Sequence, residues 1–124
     1  GVSVALRFVA PPPGLHPHTA FTLEPVEGAG GLFALSADDD PQVRLHLVDP
    51  RGVAADYAPV LTDAQAHQLG LATAEDAEVL VVARMTDEGV GVNLLAPVVF
   101  DRRTGTAGQF ILEGQDLPVR AILT

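Results

Sequence analysis

The 124-residue chain contains no cysteine, no lysine and no tryptophan, and it has a single tyrosine. Without cysteine it can form neither a disulfide framework nor a thiolate zinc site, and the absence agrees with a cytoplasmic location. No apolar run reaches the roughly 18 residues that a transmembrane helix needs. No basic segment precedes an apolar stretch, as it does in a secretory signal peptide. We therefore expect a cytoplasmic protein that does not cross a membrane.

Positive charge is also scarce. Sixteen acidic residues face seven basic ones, all arginine, which gives a net charge of −9. Phosphate is repelled by such a chain, so the composition argues against nucleic acid as a direct ligand. It favours a basic protein partner, with rapid and salt-sensitive association. The alternative is that the acidity serves solubility alone.

Alternating apolar and polar residues predict many short strands and one helix. The segment 42–49 has the clearest period of two, with Val43, Leu45 and Leu47 facing inward and Arg44 and His46 outward. The segment 78–85 is apolar on both faces, which is typical of a central or enclosed strand. Other strands are predicted over 3–9, 19–25, 32–35, 90–95, 98–101, 109–113 and 119–123.

The helix is predicted over 63–69 from its end signals. Thr62 and Gln65 form a capping box, and Gly70 lies where a left-handed C-cap belongs. The fold class that follows is all-β and mostly antiparallel. We expect one domain over 1–124, a small closed or partly open β-barrel with this one short helix.

Several groups of polar residues are candidates for a metal-binding or catalytic site. Asp38, Asp39, Asp40 and Pro41 are consecutive, whereas a calcium loop alternates its ligands, so a solvated turn is the favoured interpretation. The segment His16-Pro17-His18 has two ligand-type side chains and no evident third, so no metal site is predicted. No nucleophile elbow or phosphate-binding glycine loop occurs. We expect no cofactor and no enzymatic activity.

The segment from Val92 to Leu112 reads as two apolar strands, yet it has an asparagine among its leucines and a proline four residues later. Asn93 is predicted to point away from the face of Val92 and Leu94. One explanation is a kink between strands that Asn93 and Pro97 stabilise, because a kink leaves backbone groups that need partners. The other is direct contact with a partner.

These residues carry a resemblance to the FliW family of flagellar assembly factors. Val92–Val99 (VNLLAPVV) is similar to that family's VNLLAPIV, and Gly108–Glu113 (GQFILE) is similar to its GKQVILE. Shorter similarities in the same order are Leu35–Pro41 (LSADDDP), Asp56-Tyr57, Leu69–Leu71 (LGL) and Leu117–Arg120 (LPVR), over about 14–123. The family's GLPGFE is replaced here by Gly14–His18, its first strand looks truncated, and Leu117 replaces a tyrosine.

The resemblance implies a cytoplasmic β-barrel without cofactor that switches between two protein partners. Members of the family bind newly made flagellin. When free of flagellin, they bind CsrA, a small basic dimer that represses flagellin translation, and thereby relieve the repression. Relief by a factor of ten needs only about 1.4 kcal/mol of coupling between RNA and protein binding.

The predicted partner-binding residues combine the acidic turn with positions of the family pattern. They are Asp39, Asp40, Tyr57, Asn93, Pro97, Gln109 and Arg120. For the last four, an architectural role is as compatible with the sequence as a contact. Two other functions stay open: a small carboxylate-dependent hydrolase, and a structural or oligomerising β-domain without a regulatory role.

Overall fold

The computed structural model describes residues 3–52, 54, 56–112 and 120–123. Within these residues, nine strands and one α-helix form, joined by short turns and two 3-10 turns. The strands are β1 (Val4–Phe8), β2 (Ala20–Pro25), β3 (Leu32–Ala37), β4 (Asp40–Val48), β5 (Ala77–Thr86), β6 (Gly89–Asn93), β7 (Val98–Asp101), β8 (Thr106–Gln109) and β9 (Arg120–Leu123). The helix is α1 (Asp63–Leu69), and the 3-10 turns are Pro50–Gly52 and Ala74–Asp76.

Seven of the strands close into a barrel. The order is β4, β3, β2, β1, β8, β7 and β5, and β5 returns to β4 through the pairs His46 to Ala83 and Val48 to Val81. Neighbouring strands are antiparallel except β1 and β8, which are parallel at Arg7 to Thr106. β6 continues from β5 outside the ring, and β9 pairs with β6. The predicted all-β, mostly antiparallel barrel is confirmed.

The barrel interior is filled by alternate residues of its strands. Phe21 and Leu35 are completely buried, and the rings of Phe8 and Phe21 meet edge to face at 5.2 Å. In β4, Leu47 is buried, whereas Arg44 and His46 are exposed, as the period of two predicts. Burial of large apolar side chains of this kind stabilises a fold by about 1.5–3 kcal/mol each.

Strand β5 is apolar on both faces because each face is covered. Leu80 and Val82 pack in the barrel interior. Val81 packs on the opposite side with Val48 and Leu94. A strand that is covered on both sides has no need of polar alternation, so the predicted central position is confirmed.

Helix α1 has both of the predicted end signals. The Thr62 hydroxyl accepts from the Gln65 backbone N–H at 3.1 Å, and the Gln65 side chain accepts from the Thr62 N–H at 2.9 Å. Gly70 has a φ of 69° and closes the helix in the left-handed region. Leu69 is buried against Val99 and Phe110, which attaches the helix to the barrel wall.

Several predicted strand bounds differ from the observed ones by one or two residues, as for β6, which was expected over 90–95 and is Gly89–Asn93, and two further boundaries are wrong. The turn predicted over Asp38–Pro41 contains only Asp38 and Asp39, because Asp40 already pairs with Ala37 and starts β4. Pro41 is accommodated since the register between β3 and β4 is irregular there. The strand predicted over 109–113 is β8 instead, at Thr106–Gln109, in register with β7; residue 113 lies outside the described residues.

Candidate functional site

Strands β6 and β7 behave as one long strand with an interruption. Both run antiparallel to β5, β6 beside Ala83–Thr86 and β7 beside Ala77–Leu80. Five residues, 93–97, separate Val92 from Val98, whereas only two separate their partners Ala83 and Leu80. The surplus residues bulge out of the sheet, as in an extended β-bulge. The segment Asn93–Pro97 is called the crossover segment below.

Hydrogen bonds from several parts of the chain stabilise residues 94–97 of the crossover segment, which belong to no strand ladder before β7 begins at Val98. Four consecutive carbonyl groups each accept from a different donor, and the Asn93 side chain accepts from the Leu95 N–H at 3.1 Å. The Tyr57 hydroxyl donates to the Leu94 carbonyl at 2.6 Å, and the Gln109 side-chain amide donates to the Ala96 carbonyl at 3.0 Å. The backbone N–H of Leu112 donates to the Leu95 carbonyl at 2.7 Å, and that of Phe110 donates to the Pro97 carbonyl at 3.1 Å. The bulge therefore leaves none of these carbonyls unsatisfied, which explains the unusual residues in this part of the sequence.

Tyr57 reaches the crossover segment from the loop before α1. Its ring packs with the buried cluster of Val48, Val81, Val92 and Leu94. Burial raises the pKa of its hydroxyl to about 12, because the phenolate form is disfavoured away from water. At neutral pH the hydroxyl is protonated and serves as a hydrogen-bond donor.

The structure brings together most of the predicted partner-binding residues. Tyr57, Asn93, Pro97 and Gln109 all bond or flank the crossover segment, and Arg120 pairs with Asn93 through the backbone of β9. Pro97 is fully buried, whereas the Asn93 side chain is exposed. These contacts give the four described side chains an architectural role. Partner contact by any of the five stays a prediction.

Asp39 and Asp40 lie apart from this group, at the start of β4. Asp39 is exposed, and its carboxylate bonds the His18 ring at 2.9 Å. Asp38 accepts from the Thr22 hydroxyl at 2.7 Å, and Asp40 accepts from the Gln42 N–H at 3.2 Å. The carboxylates thus bond separate local groups. Among the described residues, no set of three or more acidic or histidine side chains is placed to hold a metal ion.

A groove of about 630 Å³ runs beside the crossover segment. No pattern in the sequence predicts this groove. Its lining comes from β4, β5, β6 and the residues after β8, and includes Leu45, Val82, Arg84, Asn93, Gln109 and Ile111. Since β4 and β5 pair only at 46–48 and 81–83, the two strands diverge beyond that point and leave the groove between them.

The sequence of β6 explains part of the groove. Gly89 and Gly91 stand directly across from Thr86 and Arg84 of β5. Glycine in a strand leaves space that a ligand or another backbone can occupy. Glycine alternates with valine in Gly89–Asn93. This pattern indicates that the two glycines leave their face of the strand without side chains.

The groove is electrostatically unlike the rest of the molecule. Arg84 is exposed and is its charged lining residue; no carboxylate is among the described residues that line it. The nearest acidic residues along the chain, Asp87 and Glu88, follow Thr86 in the hairpin turn and do not line the groove.

Three other described arginines, Arg51, Arg102 and Arg103, form ion pairs with acidic residues of the chain. Arg7 and Arg44 do not line the groove. Arg51 bonds Asp49 at 2.6 Å, and this hydrogen bond holds the pKa of Asp49 below its usual value. Arg7, Arg44 and Arg84 form no ion pair with described residues.

Ion pairs also attach the β7–β8 turn to the start of β5. Arg102 bonds Glu78 at 3.1 Å, and Arg103 bonds Asp76 at 3.1 Å. Asp101 is completely buried and accepts from the Arg103 N–H at 2.8 Å, while its second oxygen lies 3.8 Å from the Arg103 guanidinium. This network is a stabilising feature of the turn.

These features define a class of protein: a closed seven-stranded β-barrel with a strand-paired extension and a groove at their junction. A crystal structure of the flagellar assembly factor FliW has the same fold, with a TM-score of 0.85 at 23% identity over 94% of this chain and 82% of that one. No helix in the described residues is long and apolar enough to cross a membrane.

Sequence comparison identifies the family. The model of the FliW protein family matches residues 2–123, and the chain belongs to the FliW family of flagellar assembly factors. It is similar to flagellar assembly factor FliW of Syntrophotalea carbinolica, with 32% identity over 101 residues, or 81% of this chain and 72% of that protein. The protein of the same name in Pseudothermotoga lettingae is 30% identical over 114 residues, or 90% of this chain and 72% of its own length.

Proposed function

We propose that the protein acts in the cytoplasm as a partner switch in flagellar assembly. It binds flagellin, and when free of flagellin it binds the translational repressor CsrA and relieves repression of flagellin synthesis. The observation that carries the proposal is the family match over residues 2–123, which extends across the barrel and its extension.

The surface charge supports the second half of the proposal. Exposed carboxylates that form no ion pair with described residues occur in strands, helical turns and loops: Glu24, Glu27, Asp56, Asp63, Glu75, Asp87 and Glu88. A basic RNA-binding dimer is attracted to such a surface, and bound RNA on that dimer is repelled. The chain need only bind the RNA-free dimer more tightly than the RNA-bound one to release repression.

The predicted contact residues differ in how far their side chains are exposed to solvent. Asp39 and Asn93 have exposed side chains and are the better placed to touch a partner directly. Pro97 is fully buried and Tyr57 is partly buried. We infer that both affect binding by stabilising the conformation of the crossover segment.

Binding measurements with purified flagellin and CsrA test the proposal. We expect both to bind at micromolar concentration, with the CsrA complex weakening as salt rises because exposed charges are screened. The double variant Asp39→Asn/Asp40→Asn should weaken CsrA binding about two- to tenfold, on the scale of exposed ion pairs. Glu75→Gln removes one carboxylate from another part of the acidic surface and measures the effect of net charge alone, which the double variant should exceed by more than about a factor of two. Absence of binding to either protein would contradict the proposal.

Neither alternative function gains support from a specific feature. A carboxylate-dependent hydrolase needs a pocket that holds acids of raised pKa. The described lining of the groove, and that of a smaller cavity of about 390 Å³ beside Val9 and Gln68, contains no carboxylate. A purely oligomerising domain would be favoured by a solution mass that shows a stable homo-oligomer.

A further inference from the structure

We propose that the groove beside the crossover segment binds an apolar polypeptide segment that carries a carboxylate, and that Arg84 receives this carboxylate. The inference builds on the proposed docking function, but it does not depend on the identity of either partner. It assigns a chemistry to one surface, separate from the acidic surface that suits a basic partner.

Apolar residues make up most of the described groove lining. Leu45, Val82 and Leu95 are aliphatic lining residues from three different parts of the chain, and Leu45 and Leu95 are only partly buried. Ile111 lies at the edge of the groove and is 65% exposed, one of few large apolar side chains so exposed in the described residues. Covering an exposed aliphatic side chain of this size is favourable, so an apolar occupant is expected.

Arg84 carries the positive charge of the described groove lining. Its partner position across the strand is Gly91, which offers no side chain to cover it. Arg84 forms no ion pair with described residues, although the chain as a whole has more than twice as many acids as bases. No other described residue that lines the groove is charged, so the Arg84 guanidinium is complementary to a carboxylate, and its planar fork matches both carboxylate oxygens.

The polar groups of the lining suit a peptide backbone. Asn93 and Gln109 are both among the lining residues and carry side-chain amides. The Gln109 amide uses its nitrogen on Ala96, which leaves its oxygen free to accept from a visiting N–H. Side-chain amides of this kind can bond an incoming main chain without demanding one side-chain sequence.

The shape favours a polypeptide over a small molecule. A small-molecule site encloses most of its ligand. Five of the described lining residues are exposed to solvent: Pro13, Arg84, Thr86, Asn93 and Ile111. An open groove with one charged anchor and apolar flanks fits a segment of a larger chain, which brings further contacts outside the groove.

A displayed library of short random peptides tests the inference without using flagellin or CsrA. We expect selection on the intact chain to enrich apolar peptides that contain Asp or Glu. Replacing that acid with its amide, or making Arg84→Gln, should weaken binding about two- to fivefold, which is the scale of ion pairs at exposed positions. Arg84→Glu should restore affinity for a peptide in which the acid is replaced by arginine.

Matched variants separate the groove from general charge and hydrophobicity. Arg44→Gln removes another exposed, unpaired arginine that does not line the groove, and it should leave peptide binding unchanged. Ile111→Ser should weaken binding, whereas Val60→Ser, at 66% exposure, should not. Thermal unfolding checks that each variant is folded.

Several results would overturn the inference: no peptide enriched, enriched peptides without an acid, or binding equally sensitive to Arg44→Gln. If flagellin or CsrA nevertheless binds the chain, the partner-switch function stands and only the groove assignment fails. If carboxylate peptides bind through Arg84 while neither protein does, the groove assignment stands and the proposed partners are wrong.

Discussion

Replacing Tyr57 with phenylalanine removes one hydroxyl from the crossover segment and little else. The lost hydrogen bond, at 2.6 Å to the Leu94 carbonyl, is partly buried. A typical internal hydrogen bond contributes about 0.5–1.5 kcal/mol, and a carbonyl left without a partner costs about 1–3 kcal/mol. Because water reaches a half-buried site in part, we expect a loss of about 1–2 kcal/mol in the free energy of unfolding.

Urea denaturation of Tyr57→Phe measures this loss directly, with a lower midpoint and an unchanged slope. For a domain of this size the melting temperature should fall by about 3–10 °C. Thr73→Ala is the control, because the Thr73 hydroxyl makes no capping hydrogen bond with its own helix turn. Equal stability of Tyr57→Phe and the unaltered chain would refute the reasoning that this hydroxyl holds the bulge.

Alkaline titration tests the same contact in the unaltered chain. The folded pKa of Tyr57 is about 12, above the unfolded value of 10.0. The contribution of this group to stability is therefore complete below pH 10 and is lost as the pH rises through 12. The chain has one tyrosine and lacks lysine, cysteine and tryptophan, so Tyr57 alone titrates in this window and tyrosinate absorbance reports it alone. A midpoint near 10 while circular dichroism still shows the native fold would contradict the account.

Two further substitutions test the fold, each with a matched control. Gly105→Ala should destabilise by about 3 kcal/mol or more, because φ is +81° and a Cβ atom would overlap the Ala5 carbonyl oxygen. Gly28→Ala, at φ +79° in open space, should cost only about 1–2 kcal/mol, and a similar loss in both would contradict the steric argument. Thr62→Ala should cost about 1 kcal/mol by removing the capping box, whereas Thr73→Ala should be nearly neutral in the same urea titration.

The parts of the fold that could be predicted are those with local signals. Both predicted ends of helix α1 agree with the structure, because the signals that set them, at Thr62, Gln65 and Gly70, lie within a few residues of the helix ends. The inward residues of β4 followed from strict alternation. Strand β8 was misplaced because its sequence, TAGQ, has little intrinsic strand preference, and its pairing with Phe100 and its neighbours is imposed by the barrel.

The candidate site could be predicted only in part. The resemblance drew attention to Tyr57, Asn93, Pro97 and Gln109, and the structure shows that they meet at the crossover segment. The sequence could not show that β6 and β7 share one edge of β5, since that depends on register. The groove and Arg84 were missed because they arise where β4 and β5 diverge, which is a property of three-dimensional pairing.

The most direct test of the partner-switch function is a competition between its two proposed partners. CsrA is mixed with a slight excess of this chain, flagellin is added in steps, and each mixture is separated by size exclusion. The account predicts that CsrA first co-elutes with the chain and is then released as flagellin takes its place. Failure of both proteins to co-elute with the chain at micromolar concentration, or stable binding of both with no release, contradicts it.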